Sequence, residues 1–135
     1  MKLPLLIAAV LTASPLVAQT PDSAMRYSRQ MAALTEIQRY AALRRAIQDN
    51  GLWCPRVTAA AFQQTHKNLA MWVARCGAIT PPKKTLAGTM PRSSETYGVF
   101  IGPDGSVQAG QCSEIGKVNW PACRRLPAPP PPKKG

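Results

Sequence analysis

Tyr97-Gly98-Val99-Phe100-Ile101-Gly102-Pro103-Asp104-Gly105-Ser106-Val107-Gln108-Ala109 is the stretch from which the fold can be read. Residues 97–101 alternate, 102–105 turn, and 106–109 run back. Proline suits the first central place of a type I turn, and Gly105 can take the positive φ that follows it. A three-residue loop of this kind pairs Ile101 with Val107, Val99 with Ala109 and Tyr97 with Gln111. Tyr97, Val99, Ile101, Val107 and Ala109 then share one face, and an apolar sheet face needs a covering layer. These glycines do not make a phosphate loop, because the lysine and the following helix that such a loop needs are both absent.

A second hairpin is expected upstream. Trp53 to Phe62 and Leu69 to Cys76 fold back about Thr65-His66 so that Cys54 lies opposite Cys76. In that register Val57 faces Val73, Ala59 faces Met71, and Thr58 meets Trp72. Thr58-Ala59-Ala60-Ala61 is poor strand material, so a short helix is the competing assignment.

The covering layer comes from the segment before Gly51. Thr20 caps a helix that opens on Pro21, with Asp22 at the positive end of its dipole. No glycine or proline follows until Asn50-Gly51, a stop signal with Gly51 suited to the left-handed residue after a helix. Ala33, Ile37, Tyr40, Leu43 and Ile47 recur at helical spacing and make one apolar stripe. Thr35 and Gln38 can also form a capping box, which lets the packed helix start near Thr35. The half from Thr35 onward is expected to be docked and the earlier half to be looser.

Export is written at the N-terminus. Met1-Lys2 is a minimal positive region, Leu3 to Ala13 is apolar apart from Pro4 and Thr12, and Ser14 to Ala18 reads as a cleavage region. This is the layout of a secretory signal peptide over 1–18, too short for a membrane span with those flanks. The remainder, about 115 residues, suits a single domain over 19–126 with a tail over 127–135. Removing the signal removes only Lys2 and leaves 16 basic against 6 acidic residues, a balance of +10. Such an excess favours anionic partners. Export disfavours nucleic acid and leaves lipopolysaccharide, a phospholipid surface, wall polymers or an acidic protein face.

Two stretches hold basic residues where no core can form. Thr80-Pro81-Pro82-Lys83-Lys84-Thr85 to Ser94 has no apolar period and reads as a long exposed loop, of the kind that often carries binding. Pro127-Ala128-Pro129-Pro130-Pro131-Pro132-Lys133-Lys134 favours an extended polyproline conformation. Lys83, Lys84, Arg92, Lys133 and Lys134 are therefore the expected contacts to an anionic partner.

Four cysteines allow three connectivities. Register favours Cys54–Cys76, and nearness favours Cys112–Cys123 around Trp120-Pro121. Each bridge is worth about 3 kcal/mol in the chain-entropy model. No cysteine pair has zinc-site spacing, and His66 is the only histidine, so neither a metal nor a cofactor is expected. Cys-x-x-Cys is absent as well. Catalytic candidates reduce to His66 and the carboxylates Glu95 and Glu114, with no spacing that joins them.

The run from Tyr97 to Val107, followed by Cys112 and then Pro121-Ala122-Cys123, resembles small uncharacterised exported proteins of Gram-negative bacteria over roughly the second half of the mature chain. Its motif is hairpin chemistry. The order of helix then meander is similar to small envelope modules such as PepSY and BamE-like domains. The resemblance implies a Gram-negative periplasm and brings no functional residues across.

The expected fold is α+β: one long N-terminal helix packed on a four-stranded antiparallel meander, with two disulfides. The expected function is a non-catalytic periplasmic or secreted binding or accessory protein. A protein-directed inhibitor or toxin-like effector presenting the 80–95 loop is the alternative, and a small hydrolase the third reading.

Overall fold

The computed structural model describes residues 21–78 and 93–127. In chain order they form α1 (Pro21–Ala33), α2 (Glu36–Asp49), β1 (Arg56–His66), β2 (Leu69–Gly77), β3 (Ser94–Ile101), β4 (Val107–Gln111) and a single-turn α3 (Cys112–Ile115). The strands make one antiparallel sheet in the order β1-β2-β3-β4, the expected meander. The β3–β4 register is the one that the turn chemistry requires, from Ile101 with Val107 to Tyr97 with Gln111. Gly105 stands at φ +83°. Asp104 accepts hydrogen bonds from the Ser106 hydroxyl at 2.7 Å and the Ser106 amide at 3.0 Å, which closes the loop.

The single long helix expected over 21–49 is two helices. Thr35 caps α2 through the full capping box: its hydroxyl accepts from the Gln38 amide at 3.3 Å, and its own amide donates to Gln38 Oε1 at 3.2 Å. Arg39 stabilises the break from the other side. Its guanidinium donates to the carbonyls of Met31, Ala32 and Leu34 at 2.8–3.2 Å, around the end of α1, where helical carbonyls run out of amide partners. The break also shifts the apolar stripe. Leu43 and Ile47 are fully buried, whereas Ile37 is 83% exposed. Nor is α1 loose. Ser28 is buried and accepts a 2.9 Å hydrogen bond from the Trp72 indole.

The first hairpin differs in register from the expectation. The strands run on to His66 and Leu69, and Lys67-Asn68 alone make the turn, at φ 46° and 62°. Two adjacent positive φ values define the hairpin turn whose twist matches the strands. Val57 pairs with Cys76 and Ala59 with Arg75, not with Val73 and Met71. The register slips twice, so Thr58 and Gln63 are each an extra residue in β1. The alanine run is strand, because pairing with β2 along its length outweighs a weak local preference.

Both expected disulfides are present, Cys54–Cys76 and Cys112–Cys123. Cys54 precedes β1, so the first ties the α2–β1 loop to β2 and is not a cross-strand pair. That loop is held further by Gln48, which donates to the Cys54 carbonyl at 2.8 Å, and by the Tyr97 hydroxyl, which donates to the Trp53 carbonyl at 2.5 Å.

The sheet is buried on both faces. Leu43 and Ile47 of α2 pack with Trp72, Cys76, Tyr97, Val99 and Ile101 on one face. Met71, Val73 and Phe100 point the other way and meet Ile115, Trp120 and Leu126. The C-terminal segment is thus a third layer. Gly98 and Gly110 pair across β3 and β4 and leave a socket for Ile115. A Cβ at either would stand 2.7–2.9 Å from that side chain.

Candidate functional site

The two extra residues of β1 have a common consequence. A bulge re-aims the side chain that it inserts, and both Thr58 and Gln63 engage groups on the face covered by the C-terminal segment. Thr58 Oγ1 donates to the Arg75 carbonyl at 3.2 Å and accepts from Arg75 Nε at 3.3 Å. Gln63 Nε2 donates to the Ala122 carbonyl at 2.9 Å, and Gln63 Oε1 accepts from the Arg124 amide at 2.8 Å. One bulge therefore steadies the Arg75 side chain, and the other grips the backbone that carries Arg124 and Arg125.

Between them lies an open cleft of about 580 Å³, lined by Arg75, Thr96, Arg124, Arg125, Leu126 and the Cys112–Cys123 disulfide. Arg75 and Thr96 are register partners on adjacent strands, so their side chains leave the sheet on the same face. Arg75 Nη2 donates to the Pro127 carbonyl at 3.1 Å, which ties the C-terminal segment across the cleft's edge. No carboxylate of the described residues lines the cleft. Among the described residues the ion pairs are Arg45 with Asp49 and Lys117 with Glu114, both elsewhere on the surface. Three arginines thus line the cleft with no described acidic partner beside them, next to an apolar wall of Leu126 and the disulfide.

The basic residues expected to make contacts, Lys83, Lys84, Arg92, Lys133 and Lys134, lie outside the described residues, as do residues 1–18, where a signal peptide is expected, and the tail beyond Pro127. Their points of attachment are described. The 79–92 stretch leaves at Ala78 and returns at Ser93, where the Ala78 amide donates to the Ser93 carbonyl at 3.1 Å. This junction adjoins the Gly77–Ser94 pair, two residues along the ladder from Arg75 and Thr96. The tail continues from Pro127, the residue held by Arg75. Both lysine-bearing segments therefore begin at the rim of the arginine cleft.

The catalytic candidates are not brought together. His66 pairs with Leu69 at one end of β2 and Glu95 with Cys76 at the other, about 23 Å apart by strand rise. Glu114 sits in α3 and pairs with Lys117 at 3.1 Å. The His66 imidazole is a packing group. Its ring tilts against Trp120 with centroids 5.7 Å apart, and its Nε2 is buried with no hydrogen-bond partner among the described residues. No group of three or more His, Cys, Asp or Glu side chains suited to a metal occurs among the described residues. No described helix is long and apolar enough to cross a membrane.

Arg75, Arg124 and Arg125 were not legible as a site. Arg75 sits inside an apolar strand, and the one signal for the others was the adjacent pair directly after Cys123. No protein-family model, curated protein or solved structure matches the chain.

Proposed function

We propose that this chain is a non-catalytic binding or accessory protein of the periplasm or cell exterior, and that its partner is an anionic component of the envelope. The observation that carries the reading is the cleft of Arg75, Arg124 and Arg125, with no described carboxylate in its lining and with the attachment points of both lysine-bearing segments at its rim. Those segments contribute Lys83, Lys84, Arg92, Lys133 and Lys134 and no acidic residue. Two disulfides fit an oxidising compartment. A cleft lined by cations and flanked by basic segments suits a partner with repeated negative charge, because each added cation near an anionic surface strengthens attachment.

The test is co-sedimentation of the protein with phosphatidylcholine vesicles containing graded phosphatidylglycerol, at low and high salt. Binding should rise with anionic lipid and fall as salt shortens the Debye length. Charge reversal at Lys83 and Lys84 should weaken it by roughly 1 kcal/mol per lysine or more. Binding indifferent to salt and to these reversals, or no binding to the anionic vesicles, overturns the reading.

A further inference from the structure

We propose that the Arg75–Arg124–Arg125 cleft is a seat for a phosphate monoester. The inference rests on the anionic-partner reading and narrows the chemistry of that partner. Three observations lead to it.

All three cations are arginine. A guanidinium offers a planar fork that matches two oxygens of an oxyanion at once, whereas a lysine acts as a point charge. Next, all three arginines line one cleft, and no described carboxylate lines it with them. A phosphodiester brings a single negative charge. A monoester near neutral pH brings about 1.5 to 2 negative charges on three terminal oxygens, which answers the seat better. Finally, the frame of the seat is built before any ligand arrives. Thr58 and the Pro127 carbonyl hold Arg75, Gln63 holds the backbone of Arg124, and the Cys112–Cys123 bridge anchors the residue just before it. Binding then has only the exposed Arg124 and Arg125 side chains left to order. Thr96 also lines the cleft, and Leu126 with the disulfide gives an apolar wall for the carbon skeleton that bears the phosphate.

Both bulges of β1 support the same reading. Each interrupts the ladder, and each places its inserted side chain on an arginine of the cleft or on that arginine's backbone.

The experiment uses the whole protein and two families of probe. Vesicles containing phosphatidic acid, a monoester, are compared with vesicles containing phosphatidylglycerol, a diester, at matched surface charge. Phenyl phosphate is the soluble monoester. Affinity for phosphatidic acid should exceed that for phosphatidylglycerol by about tenfold, the scale of one extra charge-assisted hydrogen bond. Arg124→Glu with Arg125→Glu should abolish the preference, and Arg75→Lys should reduce it while keeping the charge. Arg26→Glu with Arg45→Glu changes net charge by the same amount on helices that cover the opposite face, and should leave the preference intact. Thermal melting confirms that each variant is folded. Competition by phenyl phosphate marks a soluble monoester as sufficient; preference without competition marks a lipid headgroup. Equal binding to both vesicle types, with both pairs of reversals equally harmful, overturns the monoester seat and leaves the anionic-partner reading standing. Binding to neither vesicle overturns both.

Discussion

Asp104 shows how one side chain stabilises a whole hairpin. Its carboxylate accepts from the Ser106 hydroxyl and from the Ser106 amide, and these bonds, the hydroxyl's the stronger, hold its pKa below the ordinary carboxyl value. A depressed folded-state pKa means that the charged form stabilises the native state. That contribution is complete above the unfolded pKa, about 3.9, and is lost as pH falls through the folded value. Urea midpoints of the protein and of Asp104→Asn should therefore differ most above pH ~5 and converge toward pH 2. A gap that widens in acid would contradict this account of the turn. Lys67 and Asn68 teach the opposite lesson. Both adopt positive φ, and a lysine there gives no warning of it, because this turn normally announces itself with Asn-Gly or Asp-Gly. The sequence alone therefore placed the first turn too early, at Thr65-His66, and every pair in that register moved with it.

Among the elements, the two disulfides are unequal supports. Cys54 and Cys76 are buried, whereas Cys112 and Cys123 are half-exposed at the wall of the cleft. Thiol–disulfide exchange requires the attacking thiolate to reach a sulfur. Graded dithiothreitol followed by thiol alkylation and mass mapping should open Cys112–Cys123 first, with Cys54–Cys76 surviving until the domain unfolds. Simultaneous loss of both bridges would show that they belong to one cooperative unit. Both pairings were readable from spacing, although for Cys54–Cys76 the register argument was wrong in detail, since Cys54 lies before the strand. The helix break was readable in part: the Thr35–Gln38 capping box was visible, but the Arg39 contacts that complete it depend on where α1 ends.

At the scale of the molecule the decisive feature is the third layer. Met71, Val73 and Phe100 would be a bare apolar face without Ile115, Trp120 and Leu126 over them. Trp120 meets Phe100 edge-on with centroids 4.4 Å apart. Ending the chain after Gln111 removes that layer together with both cysteines of the second bridge, so no free thiol complicates the outcome. The truncated protein should bind 8-anilinonaphthalene-1-sulfonate and self-associate in size-exclusion chromatography, since an exposed apolar sheet face seeks a partner. A monomeric truncation with unchanged stability would show that the layer is dispensable.

By itself the sequence determined what local chemistry can specify: a β3–β4 hairpin with its register, the helical nature of the segment before Gly51 and the nearness of Cys112 to Cys123. Each of these follows from neighbours in the chain or from a single turn. Only the tertiary structure decided that the sheet is covered twice and that Thr58 and Gln63 are bulged. It also brought Arg75 beside Arg124 and Arg125. Those outcomes join β1 and β2 to a segment more than fifty residues away. No periodicity in the sequence carries information about which distant backbone a glutamine or an arginine will hold.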